Sequence, residues 1–149
     1  MADYFLAASR KDWFRSRPVL ENCAVPGEQE VAALEESIGC SLPADMRSWL
    51  TIVGFCNIDD DLSFRPEWFR RIEDGQLKGS VLFAQDTLGN FYGYVPAEGA
   101  IVFFSRSEPA YAVLAPSFRE FLGSLQKRDY KIMDWVESLT LAPYEWNSA

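Results

Sequence analysis

The order of periodicities along this chain predicts an α+β fold, an antiparallel four-stranded meander sheet with helices packed on it in a single domain. Three observations carry the prediction. Segments of helical period lie between residues 28 and 53, apolar runs separated by turn residues lie between 81 and 114, and helical period returns after 117. Helices and strands segregated in this way pack as helices on an antiparallel sheet rather than as alternating βαβ units. A length of 149 residues suits one domain spanning 1–149, and 48% hydrophobic with 15% aromatic residues is enough to fill a core.

From Glu28, the residues Val31, Leu34 and Ile38 recur on one helical face, with Glu28 and Glu30 in the first turn, where negative charge suits the helix dipole. Gly39 reads as the stop and Pro43 as the first residue of a second helix, whose stripe is Met46, Trp49, Leu50 and Val53. Residues 55–79 read as irregular and polar. The strands then follow as Val81–Ala84, Phe91–Val95, Ala100–Phe104 and Tyr111–Leu114, with turn residues at Thr87–Asn90, Pro96–Gly99 and Ser107–Pro109. The unbroken apolar run of the third predicts a strand covered on both faces.

Ser117-Phe118-Arg119-Glu120 has the form of a capping box opening a helix with the stripe Phe118, Phe121, Leu122 and Leu125. Ile132, Trp135, Val136 and Leu139 fit one further helix before Pro143. At the other end, Tyr4–Arg15 reads as a short helix ended by Pro18, and the residues up to Pro26-Gly27 as a connection.

Composition excludes several functions. A net charge of −8 repels phosphate backbones and anionic membranes and favours a basic protein as partner. The N-terminal residues lack an apolar core and cleavage site of a secretory signal, and no run reaches the roughly 18 apolar residues of a membrane helix. Histidine is absent, which removes His-based nucleophile pairs, general bases and metal ligands together. Cys23, Cys40 and Cys56 are odd in number and widely spaced, and read as buried reduced thiols in a cytoplasmic protein. No catalytic residue, cofactor or metal site is expected.

Three pieces, in order, are similar to one known family. Glu30-Val31-Ala32-Ala33-Leu34-Glu35-Glu36-Ser37-Ile38-Gly39 runs into Leu42-Pro43-Ala44-Asp45-Met46-Arg47-Ser48-Trp49-Leu50. Asp86-Thr87-Leu88-Gly89-Asn90-Phe91-Tyr92 makes an acidic, glycine-containing hairpin leading into aromatics. Ala115-Pro116-Ser117-Phe118-Arg119-Glu120-Phe121-Leu122 opens a closing helix. Together they resemble the Smi1/Knr4 family (SUKH superfamily) over about 28–125, with the N-terminal segment and the C-terminal helix and tail as extensions. Phe103-Phe104-Ser105-Arg106 stands where members often carry a Trp and a His. The resemblance implies function by binding. Many bacterial members are immunity proteins that neutralise polymorphic or contact-dependent toxins inside the cell, and eukaryotic relatives are regulatory scaffolds.

Within that reading, the densest charge feature becomes the candidate toxin-binding surface: Asp59, Asp60, Asp61, Glu67, Trp68, Glu73 and Asp74. Residues 26–74 hold eleven acids against four bases, seven of the eight net negative charges. Such a surface suits a basic toxin, reached by steered association, with the chain as a monomer or weak dimer. Three consecutive aspartates point in different directions and do not form a calcium loop. The competing readings are a solvated loop, an intracellular scaffold, and a small carboxylate- or metal-dependent enzyme. Trp68 and Phe69 read either as interface anchors or as plugs tying the segment to the core, and Tyr144 and Trp146 as a docked tail or an exposed contact. Asp86 with Gly89 and Asn90 reads as turn chemistry.

Overall fold

The computed structural model describes residues 9–11 and 16–146, with side chains from residue 18 onward. The stripe beginning at Glu28 folds as α1 (Glu28–Ile38) and buries Val31, Leu34 and Ile38. Gly39 ends it in the left-handed region at φ 75°, a conformation that costs glycine nothing, and its N–H donates to the carbonyls of Glu35 and Glu36. Pro43 caps α2 (Ala44–Ile52), which buries Met46, Trp49 and Leu50. One side chain fixes the junction: the Glu35 carboxylate accepts the Leu42 N–H at 2.7 Å and pairs with Arg47. Arg47 first, and then the Leu42 N–H, hold the Glu35 carboxyl below its ordinary range against the opposing effect of burial.

The expected meander is present as β7 (Val81–Asp86), β8 (Phe91–Tyr94), β9 (Ile101–Phe104) and β10 (Ala110–Ala115), but the sheet has nine strands rather than four. Three are added in sequence beyond β7: β5 (Leu62–Phe64), β4 (Phe55–Ile58) and β3 (Leu20–Ala24). The two-residue β6 (Arg70–Arg71) pairs β7 beside β5, and β11 (Ala142–Pro143) closes the other edge on β10. All these pairs are antiparallel.

Residues 55–79 are therefore not irregular throughout. Phe55, Cys56, Ile58, Leu62 and Phe64 are buried, and it is their burial against α2 and the later helix Phe118–Lys127 that makes short runs into strands. The connection expected before Pro26 is β3, in which only Leu20 is buried and which is held by its pairing with β4. β1 (Ser9–Lys11) pairs β2 (Ser16–Pro18) as a separate ribbon, so the helix expected over Tyr4–Arg15 is not formed at 9–11. Pro18 disfavours helix at Arg17 and leaves it extended to pair with Arg10. The remainder of that expected helix, 4–8 and 12–15, lies outside the described residues.

The cysteine expectation is also corrected. Cys23 on β3 and Cys56 on β4 form a disulfide, and Cys40 is the free thiol. An odd count leaves room for one bridge. Strand pairing supplied the proximity, a Cα separation of 4.2 Å across a sequence separation of 33 residues, that spacing alone did not reveal.

Helices α3 (Phe118–Lys127) and α4 (Ile132–Glu137) complete the layer on one face of the sheet. The Ser117 hydroxyl caps α3 by accepting the Glu120 N–H at 3.1 Å, as the capping box predicts, and it also donates to the Glu120 carboxylate. Phe118 is the hub of the core: its ring lies 6.1 Å from Trp49 on α2, 6.2 Å from Phe64 on β5 and 5.8 Å from Phe83 on β7. The row Tyr92–Phe103 faces these helices, with Tyr92 against Phe121. The pleat sends the next row, Phe91–Phe104–Tyr111, to the opposite face. Among the described residues no helix is long and apolar enough to cross a membrane.

Candidate functional site

The candidate acidic residues lie along the edge where β5 and β6 meet β7. The chain from 59 to 74 runs antiparallel to β7, so its acids spread over the length of that strand, about 20 Å at the usual rise per residue. Asp59, Asp60 and Asp61 form the tight turn between β4 and β5. Asp59 and Asp60 adopt φ 52° and 58°, and the Asp61 N–H donates to the Ile58 carbonyl at 3.0 Å. Aspartate tolerates that left-handed conformation better than most residues, so turn geometry is one reason for acids here.

Asp61 is half-buried, and its carboxyl is pushed above its ordinary range by burial first and then by Asp59, Asp60, Asp86 and Asp134. The turn thus gathers with the end of β7 and with α4 into an acidic corner. Sequence reasoning missed Asp134, which reaches the corner only through tertiary packing. Among the described residues no group of three or more His, Cys, Asp or Glu side chains is arranged to hold a metal ion.

At the other end of the segment the charge is mixed. Glu67, Glu73 and Asp74 are exposed but alternate with Arg65, Arg70 and Arg71. Trp68 sits half-buried in the 3-10 turn 66–68 with the Arg65 guanidinium 5.7 Å above its ring. Phe69, beside it, is the plug, buried between Phe55 and Phe83 at 6.0 and 6.5 Å.

Glu73 and Asp74 wall a groove of about 510 Å³ on the sheet face away from the helices. Its floor is Leu82, Phe91 and Phe104, and its far wall is Tyr144 and Trp146. The C-terminal segment is latched in place. The Tyr144 hydroxyl donates to the Asp74 carbonyl at 2.8 Å and accepts the Leu77 N–H at 3.1 Å, and the Gln76 N–H donates to the Glu145 carbonyl at 2.7 Å. Glycine at 75 is required there, because a Cβ would lie 2.4 Å from the Tyr144 ring. Tyr144 is buried, whereas Trp146 is 58% exposed, so the tail is docked and also presents a contact. The signal for this groove was the aromatic alternation Phe91–Phe104–Tyr111 on a face with no further helix to cover it.

Asp86 is the buried acceptor of the β7–β8 hairpin. It takes the N–H groups of Leu88 and Asn90 at 3.0 Å each and the Tyr92 hydroxyl at 2.8 Å. Burial, followed by the charge of Asp86, pushes the Tyr92 phenol far above its ordinary range. Turn chemistry accounts for this cluster, as the sequence predicts. A model of the SMI1 / KNR4 family (SUKH-1) matches residues 26–124, about two thirds of the chain. The chain belongs to this family. No curated protein and no solved structure matches it. The SUKH-1 match takes in the acidic corner except Asp134, and the groove except Tyr144 and Trp146.

Proposed function

We propose that this chain is an immunity protein that binds and neutralises a cognate polymorphic or contact-dependent toxin in the cytoplasm, without catalysis of its own. Membership of the SUKH-1 family over residues 26–124 is the observation that carries the reading. Charge supports it independently. Five carboxylates share one corner, where burial first and then its four acidic neighbours raise the Asp61 carboxyl above its ordinary range. The toxin contacts the edge from Asp59, Asp60 and Asp61 through Glu67 and Trp68 to Glu73 and Asp74. Rim acids raise the association rate toward a basic surface, and aromatic anchors slow dissociation.

The test is survival. Where a neighbouring gene encodes a toxic domain, cells expressing that domain should grow when this chain is co-expressed at equal level. The proposal fails if they die although the chain is soluble and abundant.

A further inference from the structure

We propose that the groove on the helix-free face of the sheet receives a cationic side chain, arginine or lysine, from a basic protein partner. That the cation belongs to a protein rests on the neutralising role proposed above; the chemistry of the groove does not.

Aromatic rings set at steep angles to one another line the groove. Tyr144 lies 4.6 Å from Trp146 at 69° and 6.0 Å from Phe104 at 66°. Tyr144 is covered by these edge contacts, and exposed Trp146 is the ring that offers surface to a cation, which the ring quadrupole attracts within about 6 Å. The groove already holds one guanidinium in this way: Arg70 lies 5.9 Å above Phe91. Trp146 remains 58% exposed although the backbone around it is fixed by Tyr144 and Gln76, so its indole is presented without a large loss of freedom on binding.

Charge decides the sign of the occupant. Arg71 turns toward the helix layer, its Nη1 being 3.0 Å from where a Cβ on Gly39 would sit. The groove is lined by Glu73 and Asp74 and by Arg70 and Arg71, but of the two guanidiniums only that of Arg70 lies over the groove floor, on a chain of net charge −8. An anion would meet a net negative wall, and a purely apolar side chain would leave both carboxylates unused. A volume of about 510 Å³ admits a long side chain with its aliphatic stem on the floor. Trp146 lies outside the SUKH-1 match and the floor lies inside it, so the groove joins a family surface to a chain-specific tail.

The experiment follows the indole N–H resonances of the full ¹⁵N-labelled chain while tetra-arginine peptide, or its neutral citrulline counterpart, is added at low salt. Trp146→Phe assigns the Trp146 signal, and the buried Trp135 signal reports that the fold is intact. The expected result is a saturable movement of the Trp146 signal that is about tenfold weaker for citrulline, and severalfold weaker for arginine in Glu73→Gln/Asp74→Asn. The signal is local, so arginine bound at the Asp59–Asp61 turn does not produce it. An unmoved Trp146 signal, equal response to the two peptides, or no effect of the double variant overturns the proposal. A chain that binds the peptide but gives no protection against toxin keeps the groove and loses the neutralising role; protection with an unmoved Trp146 does the reverse.

Discussion

Replacing Asp86 with alanine removes the acceptor on which the β7–β8 hairpin closes. The residue is 7% exposed and holds the Leu88 and Asn90 N–H groups, the Asn90 side-chain amide and the Tyr92 hydroxyl. The two N–H groups lie at the hairpin tip and regain water, so their loss costs about 1 kcal/mol in net hydrogen bonding. The Tyr92 hydroxyl is fully buried and is stranded, at a further cost of about 1–3 kcal/mol. Asp86→Ala should therefore destabilise by about 2–4 kcal/mol. Asp86→Asn keeps one acceptor for the turn and lets the hydroxyl accept instead of donate, so about half of that is expected. Tyr92→Phe should cost about 1 kcal/mol, and in the double variant with Asp86→Ala there is no hydroxyl left to strand, so the costs fall short of additive. Urea unfolding followed by tryptophan fluorescence, with unchanged m, measures all four. A loss under about 0.5 kcal/mol for Asp86→Ala, or strict additivity with Tyr92→Phe, would refute the reasoning.

The Cys23–Cys56 bridge spans 33 residues, and loop entropy then predicts about 3–4 kcal/mol lost in Cys23→Ser/Cys56→Ser. Alkylation should label one thiol before reduction and three after; three labels before reduction would contradict the bridge. Glu35 titrates below its ordinary value, so its contribution is present above about pH 4.5 and is lost as pH falls through the lower folded value. Comparing urea midpoints of wild type and Glu35→Gln at pH 7 and at pH 3 checks this, because the difference should shrink at the lower pH. Phe118→Ala, at the meeting of four core rings, should cost about 3–5 kcal/mol by the same assay.

Local period made α1, α2, α3, α4 and the β7–β10 meander legible, because each buried stripe lies within one segment. What depended on distant pairing was not. Phe55–Ile58 pairs on one side with the nearby Leu62–Phe64 but on the other with Leu20–Ala24, more than thirty residues earlier, and the disulfide follows from that distant pairing. Trp68 and Phe69 are equivalent in sequence, yet only Phe69 points into the core. At the candidate site the turn acids were legible as charge, but Asp134 joins them by tertiary packing. The groove depends on Tyr144 meeting Asp74 across 70 residues.

The most direct measurement is the association rate between this chain and the cognate toxic domain that the proposed function requires, for wild type and for Asp59→Asn/Asp60→Asn/Asp61→Asn. Asparagine also tolerates the left-handed turn, and removing the repulsion around Asp61 should leave the fold at least as stable. Binding through the acidic edge predicts a one-to-one complex whose association slows about tenfold or more in the variant at low salt. The gap should close at 1 M salt, where screening shortens to about 3 Å. No complex with the folded wild-type chain would contradict function by binding the toxin, and equal rates at low salt would remove the acidic edge from the contact.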